Sequence, residues 1–411
     1  MTSMMNGIFN RAAWLGIGLS CLAPLCAQTD SVRFDRPSLC LMMIAHPEQN
    51  FGKEIEIIFR DMDMPERFND HSLGVRVVKM PSAPDNQIAG QVLAFAEHAE
   101  IPKKMVAKWF SRDKQTGTFT TGLLAQRGCY NATRQDFDLV QQTILGKNLL
   151  ADAGEKLVSH TFLVMCDYDY RREYSGDDNS DSQVQTLTNV DINDSRQLDE
   201  YNNYLYQKDN RLKEFKISCT SYLYRLQWTD SVANIFYMSH YTDTPDEEKT
   251  KAFKQDKTTF RLTYLGCCSA QETEKNKDGK YTNQQLVKKV CIRLRDKNLS
   301  TLQHAHPEFR IKAPLVGTTP LKAYIGLKED VTPEARYEVL MPEYAKDGTY
   351  RYVRVGVIRP VAGKIWDNRF MIGEEHDTEL DATYFEQVSG GELFPGMLIR
   401  EMDSDKERKG R

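Results

Sequence analysis

The sequence predicts a mixed α+β or α/β body followed by a small all-β C-terminal module, a barrel or a sandwich. Three observations carry this reading. From Leu39 to Arg295, short strand-like apolar runs alternate with apolar stripes at helical spacing, the pattern of a sheet covered by helices. After Ala313–Pro320 only short strand-like runs remain, separated by turn residues, as in a small barrel or sandwich. Ahead of both lies a stretch that reads as an export signal.

That signal comes first in the chain. Arg11 is the only charged side chain in Met1–Ala27, and the apolar run Ala12–Cys26 follows it. A positive start, a short apolar core and a small residue at the cut are what a signal peptidase requires, so cleavage between Ala27 and Gln28 is expected. The run is short for a membrane span, which needs about 20 apolar residues, and Pro24 breaks a helix near its end. Lipid attachment at Cys21 is the alternative. Gly18 stands three residues before it, where such signals prefer a branched apolar residue.

Removing 27 of 411 residues leaves 384, enough for two or three domains of about 100–200 residues each. Loss of Arg11 moves the formal net charge from −4 to −5, which argues against nucleic acid as the main partner because that usually demands a basic face. Hydrophobic residues at 40% and charged residues at 27% are ordinary globular values, so a sizeable core is expected. No later stretch approaches the length of a membrane helix, and the passenger is expected to be water-soluble. Seven cysteines follow the signal: Cys40, Cys129, Cys166, Cys219, Cys267, Cys268 and Cys291. An odd number leaves one thiol free or paired between chains. No C-x-x-C occurs, and most of these cysteines lie in apolar runs, so core packing is the reading.

The body opens with strand-like Leu39–Ala45 and Glu54–Phe59, joined by the turn-like His46–Asn50. Gly74–Met80 reads as a third strand. Asn86–Phe110 is helical, with Ile88, Val92, Phe95 and Ala99 on one stripe and a break at Pro102. Thr118–Ala125 reads as strand, Thr133–Leu157 as helix, and Thr161–Cys166 as a short buried strand. From Asp167 to Glu200 there are ten acidic residues against three arginines. Such a segment buries little apolar surface and reads as a solvated loop rather than a calcium site. Ile217–Trp228 alternates as a strand, Pro245–Lys254 is a charged helix, and Phe260–Leu265 another strand. Thr282 and Gln285 form a capping box for a helix over Asn283–Arg295. Glu274–Gly279 has a faint EF-loop spacing, but a turn at Asp278-Gly279 accounts for it better.

Ala313–Pro320 then reads as a connection. The strands expected after it are Lys322–Leu327, Arg336–Met341, Tyr350–Ile358 and Lys364–Phe370. On the second of these, Tyr337, Val339 and Met341 should oppose Arg336, Glu338 and Leu340. On the third, Val353, Val355 and Val357 should form one core-facing row. The organisation expected is a signal over 1–27, a body over 28–316 with an acidic loop near 171–200, a β module over 317–402 and a charged tail over 403–411.

No phosphate loop, nucleophile elbow or H-E-x-x-H helix occurs; Gly146-Lys147-Asn148 lacks the preceding glycine and the hydroxyl. The metal candidates are His304 and His306, which share a face if the segment is extended, with His376 and its neighbours Glu374, Glu375 and Asp377 as further ligands. Two histidines in a Pro-containing loop are more often solvated, so the expectation is no metal and no cofactor. Cys129 with a distant histidine is only a formal pair. Tyr201, Tyr204 and Tyr206 fit a half-buried helix face as well as a stacking platform.

Several phrases in the chain carry a resemblance: Arg127–Thr133, Leu149–Asp167, Ile365-Trp366-Asp367-Asn368-Arg369, and Phe394–Arg400 (FPGMLIR). With these it resembles exported proteins of Bacteroidetes that carry no established function, over most of the mature chain. The resemblance implies a periplasmic or outer-membrane-associated location and transfers no catalytic residue. Two functions stay open. One is a non-catalytic binding or assembly protein of the cell envelope, with a protein or another envelope component as partner. The other is an envelope hydrolase, possibly metal-assisted, built from distant residues such as His304, His306 and His376.

Overall fold

The fold is built around β1 (Ser38–Ile44), seven residues all buried. The computed structural model describes residues 36–81, 84–131, 157–170, 196, 212–277, 280–344, 350–371 and 380–402. β1 pairs in parallel with β2 (Asn69–Asp70), β3 (Val77–Val78) and β4 (Thr161–Asp169). Antiparallel β5 (Glu214–Leu226) and β6 (Leu262–Lys275) extend the sheet, giving the order β2-β1-β4-β5-β6 with β3 beside β1. A strand covered on both faces is apolar along nearly its whole length. Leu39, Leu41 and Met43 accordingly enter one core, while Cys40, Met42 and Ile44 enter the other.

The first core is closed by α1 (Gly52–Asp61) and a long helix, Asn283–Ala305. The second is closed by α2 (Asp85–His98), α3 (Ile101–Trp109), α4 (Gly122–Asn131), α5 (Asp230–Ser239) and α6 (Glu247–Gln255). The long helix is α7. The body is therefore a mixed sheet between two helical layers. Among the described residues no helix is long and apolar enough to cross a membrane.

Several expectations are met closely. The helix over Asn86–Phe110 is interrupted where Pro102 restarts it, as α2 and α3. The Thr282–Gln285 capping box starts α7. Other segments differ. Glu54–Phe59 is not a strand but most of α1. Its Glu-Ile-Glu-Ile alternation is overridden because Ile55, Ile58, Phe59 and Met62 fall at helical spacing and all enter one core. The chain enters α1 through Phe51 in the left-handed region (φ 62°) and then Gly52. A Cβ at Gly52 would stand 2.0 Å from the carbonyl oxygen of His46, so only glycine fits there.

Thr118–Ala125 is likewise not a strand. Phe119 and Thr120 form single backbone bonds to Thr242 and Phe110, and α4 begins at Gly122. The third expected strand pairs only at Val77–Val78. α5 had no sequence assignment; Thr229 caps it by accepting from the Val232 N–H. α7 runs ten residues beyond Arg295 because the same apolar stripe continues through Leu299 and Leu302.

The C-terminal region is a closed barrel of six antiparallel strands, ordered β10-β11-β8-β7-β12-β9. These are β7 (Ala313–Thr318), β8 (Leu321–Ala323), β9 (Tyr337–Tyr344), β10 (Tyr350–Pro360), β11 (Thr383–Gly390) and β12 (Leu398–Glu401). The expected connection Ala313–Pro320 is thus the first barrel strand, and Gly317 lies inside it. Lys364–Phe370 forms no strand, whereas β11 and β12 were not foreseen.

Tyr337 and Val339 enter the barrel core as expected, but the valine row on β10 does not run through. A bulge at Val355 against β9 shifts the alternation, so Val355 packs against the core and Ile358 completes it. The Trp366–Arg369 stretch docks on the turn before residue 330. Trp366 O accepts from Leu327 N–H, Asn368 Oδ1 accepts from Lys328 N–H, and Asn368 Nδ2 donates to Glu329 at 2.7 Å. A Cβ at Gly326 would lie 2.2 Å from Trp366 O. In Phe394–Arg400, Gly396 (φ 89°) makes the turn and Met397 and Ile399 fill the barrel core.

The signal, most of the expected helix over 133–157, the acidic loop apart from Asp167–Tyr170 and Arg196, and the 403–411 tail lie outside the described residues. So do Tyr201, Tyr204, Tyr206, Asp278 and Gly279.

Candidate functional site

β4 places Phe162, Val164, Cys166 and Tyr168 in one core and Leu163 and Met165 in the other. Continuing the alternation puts Asp167 and Asp169 on the second face, past the residues that the helices bury. The antiparallel register sets Thr220 and Ser269 beside Asp167, and Ser218 and Gln271 beside Asp169. Thr220 and Ser269 share a hydrogen bond at 2.7 Å, and Ser218 Oγ donates to the Asp169 carbonyl at 3.1 Å. This end of the sheet face is polar throughout.

His46 lies two residues past the end of β1 and reaches the same place. Its Nε2 lies 2.6 Å from Asp167 Oδ1, and its Nδ1 lies 3.2 Å from Glu48 Oε1. The site sits at the carboxyl ends of the parallel pair β1 and β4, where open α/β sheets commonly receive ligands. The loop is fixed from below. Gln49 N–H donates to the His46 carbonyl, and its side chain donates to Asp169 and accepts from Tyr170 N–H. Phe51, Tyr170 and Phe215 pack ring against ring beside it at 5.1–5.4 Å.

The bond to Asp167 raises the His46 pKa above its ordinary 6.5 against the opposing effect of burial, and Glu48 adds to the rise. A carboxylate that orients one ring nitrogen while the other faces an exposed partner makes a positioned acid–base group. The sequence reading took His46–Asn50 only as a turn. The usable signal was a histidine just past a fully apolar strand, and paired aspartates immediately after another.

The expected histidines do not assemble. His304 lies in the last turn of α7, with Nδ1 2.7 Å from Glu401 on β12 and Nε2 3.6 Å from Asp330. His306 is the extended residue that caps the helix, and its ring lies against Gly266 of β6. The helix end turns the two apart, so they do not share a face. His376, Glu374, Glu375 and Asp377 lie outside the described residues. Among the described residues no group of three or more His, Cys, Asp or Glu is arranged to hold a metal ion. His304 instead joins the body to the barrel, alongside Arg310, which donates to the carbonyls of Gln303, His304 and Glu401.

Cys129 lies on α4. Cys40, Cys166, Cys219 and Cys291 are buried free thiols. Burial pushes the Cys40 pKa up to about 12, so it stays protonated and packs as a small hydrophobe. Asn276, from the EF-like stretch, spends its side chain on the backbone of Leu212 and Tyr281. No known protein family matches the chain, and no curated protein is similar to it.

Proposed function

We propose that this is an exported cell-envelope protein, periplasmic or outer-membrane-associated, that works by binding or assembly, with the barrel presented to an envelope protein partner. The observation that carries the reading is how the two most distinctive phrases of the chain are used. Trp366–Arg369 and Phe394–Arg400 build the barrel and its seat, and they leave Tyr324, Leu327 and Phe394 exposed on its outside. Export is supported by the charge and apolar run of Met1–Ala27.

The test is photo-crosslinking in intact cells from a reactive residue placed at Tyr324 or Phe394. One discrete adduct from the barrel positions, absent when the reactive residue is placed instead at the exposed Met238 of the body, is expected. Crosslinks spread evenly over the surface, or none, would defeat the proposal. N-terminal sequencing of the mature chain should begin at Gln28, and a lipid-modified Cys21 would correct the processing.

The 2.6 Å pair of His46 and Asp167 favours a second reading, an envelope hydrolase using His46 to activate water. This moves the hydrolytic site from His304, His306 and His376 to the sheet edge. Hydrolysis of simple ester, amide or glycoside substrates, abolished by His46→Ala and reduced by Asp167→Asn, would support it. Equal rates in all three proteins would dismiss it.

A further inference from the structure

The C-terminal turn of α7 lies against the barrel through His304 and Glu401, and a small cleft is lined by both. Barrel residues Ala313, Ile325, Tyr337 and Ile399 form its apolar floor, and His304 and Glu401 stand at its rim. Tyr337 is only 6% exposed and packs edge-on against Phe385. Its hydroxyl makes no hydrogen bond to any described residue. Tyrosine hydroxyls normally find a hydrogen-bond partner, and this one is not sealed among apolar atoms but belongs to a residue lining the cleft. That unmet group lies on the wall of a cleft, so the cleft has a place for something that hydrogen-bonds.

We propose that this cleft is a binding site for the hydroxyl groups of a neutral polyhydroxyl ligand, held by Tyr337, Glu401 and His304. Cross-strand pairing sets Glu401 directly beside Tyr337. Its Oε2 takes the His304 bond at 2.7 Å, and Oε1 is left as an acceptor. Burial and the nearby carboxylates of Glu401, Glu329 and Asp330 push the Tyr337 phenol well above its ordinary pKa. It is therefore a neutral group that both donates and accepts.

The charges lining the cleft are balanced and draw in neither sign of ion. An anion entering here meets Glu329 and Glu401, while a cation meets His304 and Arg310. An alcohol that donates to Glu401 and accepts from Tyr337 meets neither penalty. The space in this open cleft is about 40 Å³, room for about three waters. It admits a hydroxymethyl group or two neighbouring hydroxyls, with the rest of the ligand outside. The inference does not depend on export, on a protein partner or on turnover.

The test uses the full mature chain and saturation-transfer NMR with glucose and with glycerol, against acetate and ethylammonium at equal concentration. Transfer to the two neutral compounds and not to the ions is expected. Tyr337→Phe keeps the ring and removes the hydroxyl, and it should weaken binding roughly three- to tenfold. Glu401→Gln provides the second variant and is read by the same criterion should Tyr337→Phe lose its thermal transition. Unchanged binding in the folded variants, preference for either ion, or no transfer to glucose and glycerol would overturn the proposal. The last result would leave water as the occupant.

Discussion

Replacing Arg67 by alanine tests whether the barrel and the body are held as one unit. Arg67 is 3% exposed and spans the junction. Its guanidinium donates to Glu329 at 3.1 Å and to the Lys328 carbonyl at 3.3 Å on the barrel side, and to the Asp296 carbonyl at 3.2 Å on α7. Breaking a buried ion pair by removing one partner costs about 3–5 kcal/mol, because the other charge is left uncompensated. Two features reduce that here. Glu329 keeps bonds from Asn368 Nδ2 and Gly326 N–H, and Arg67 Nε is buried without a partner, so the wild-type side chain already bears a desolvation cost. A loss of roughly 2–3 kcal/mol is expected. Urea unfolding followed by near-UV and far-UV circular dichroism measures it, and the two signals should move together. The double variant Arg67→Met/Glu329→Gln removes both charges and retains the stem volume, so it should lose less than Arg67→Ala alone. A loss under about 0.5 kcal/mol, or a double variant worse than the single one, would refute the assignment of this pair as the clamp.

Three further outcomes follow from the same structure. Gly52→Ala places a Cβ 2.0 Å from a backbone oxygen and should cost about 3–5 kcal/mol in thermal or urea unfolding, as other severe steric changes do; a change below about 1 kcal/mol would mean the loop relaxes freely. The pKa values of His46 and His304 are both raised in the fold by bonded carboxylates, so the native state holds these protons more tightly than the unfolded chain. Their stabilisation is complete below about pH 6.5 and is lost as pH rises through the folded values. Tm should fall between about pH 6 and pH 9, and by less in the His46→Gln/His304→Gln variant; an identical fall in both proteins would exclude these two groups as the cause. A fragment beginning at Thr318 lacks β7, which joins β8 to β12 and buries Ala313 and Leu315. It should give no cooperative thermal transition, and a sharp one would show that the barrel closes without that strand.

The parts of the fold that were legible from sequence share a physical cause. β1, β4 and β5 are continuous or alternating apolar runs because helices cover both faces of the sheet, and α7 announces itself through a capping box whose two bonds are both formed. The misread segments are those where local pattern and tertiary packing disagree. Glu54–Phe59 alternates like a strand, yet Gly52 and the left-handed Phe51 start a helix whose buried stripe reaches Met62. The valine row of β10 looks continuous, but one bulge turns it over at Val355. Ala313–Pro320 has the prolines, glycine and threonines of a connection, and becomes a strand because β8 and β12 lie on either side of it.

The candidate site was less legible than the fold because its parts are far apart in the chain and bland where they stand. His46 and Asp167 are 121 residues apart, and each follows an apolar run that invites attention to the run rather than to its end. His304 and His306 looked like a site because they are close in sequence, and the end of α7 separates them. Proximity in sequence selects for shared local geometry, which a helix terminus destroys. Proximity at the carboxyl edge of a parallel sheet comes instead from register, since Ser38–Ile44 pairs residue for residue with Thr161–Asp167. The distinctive Trp366–Arg369 phrase follows the same logic in reverse. Of its conspicuous polar side chains, Asn368 bonds the Lys328 N–H and Glu329 while Asp367 and Arg369 pair with each other, so its chemistry is spent on local structure beside the barrel, while the sheet edge with the least distinctive sequence carries the positioned imidazole.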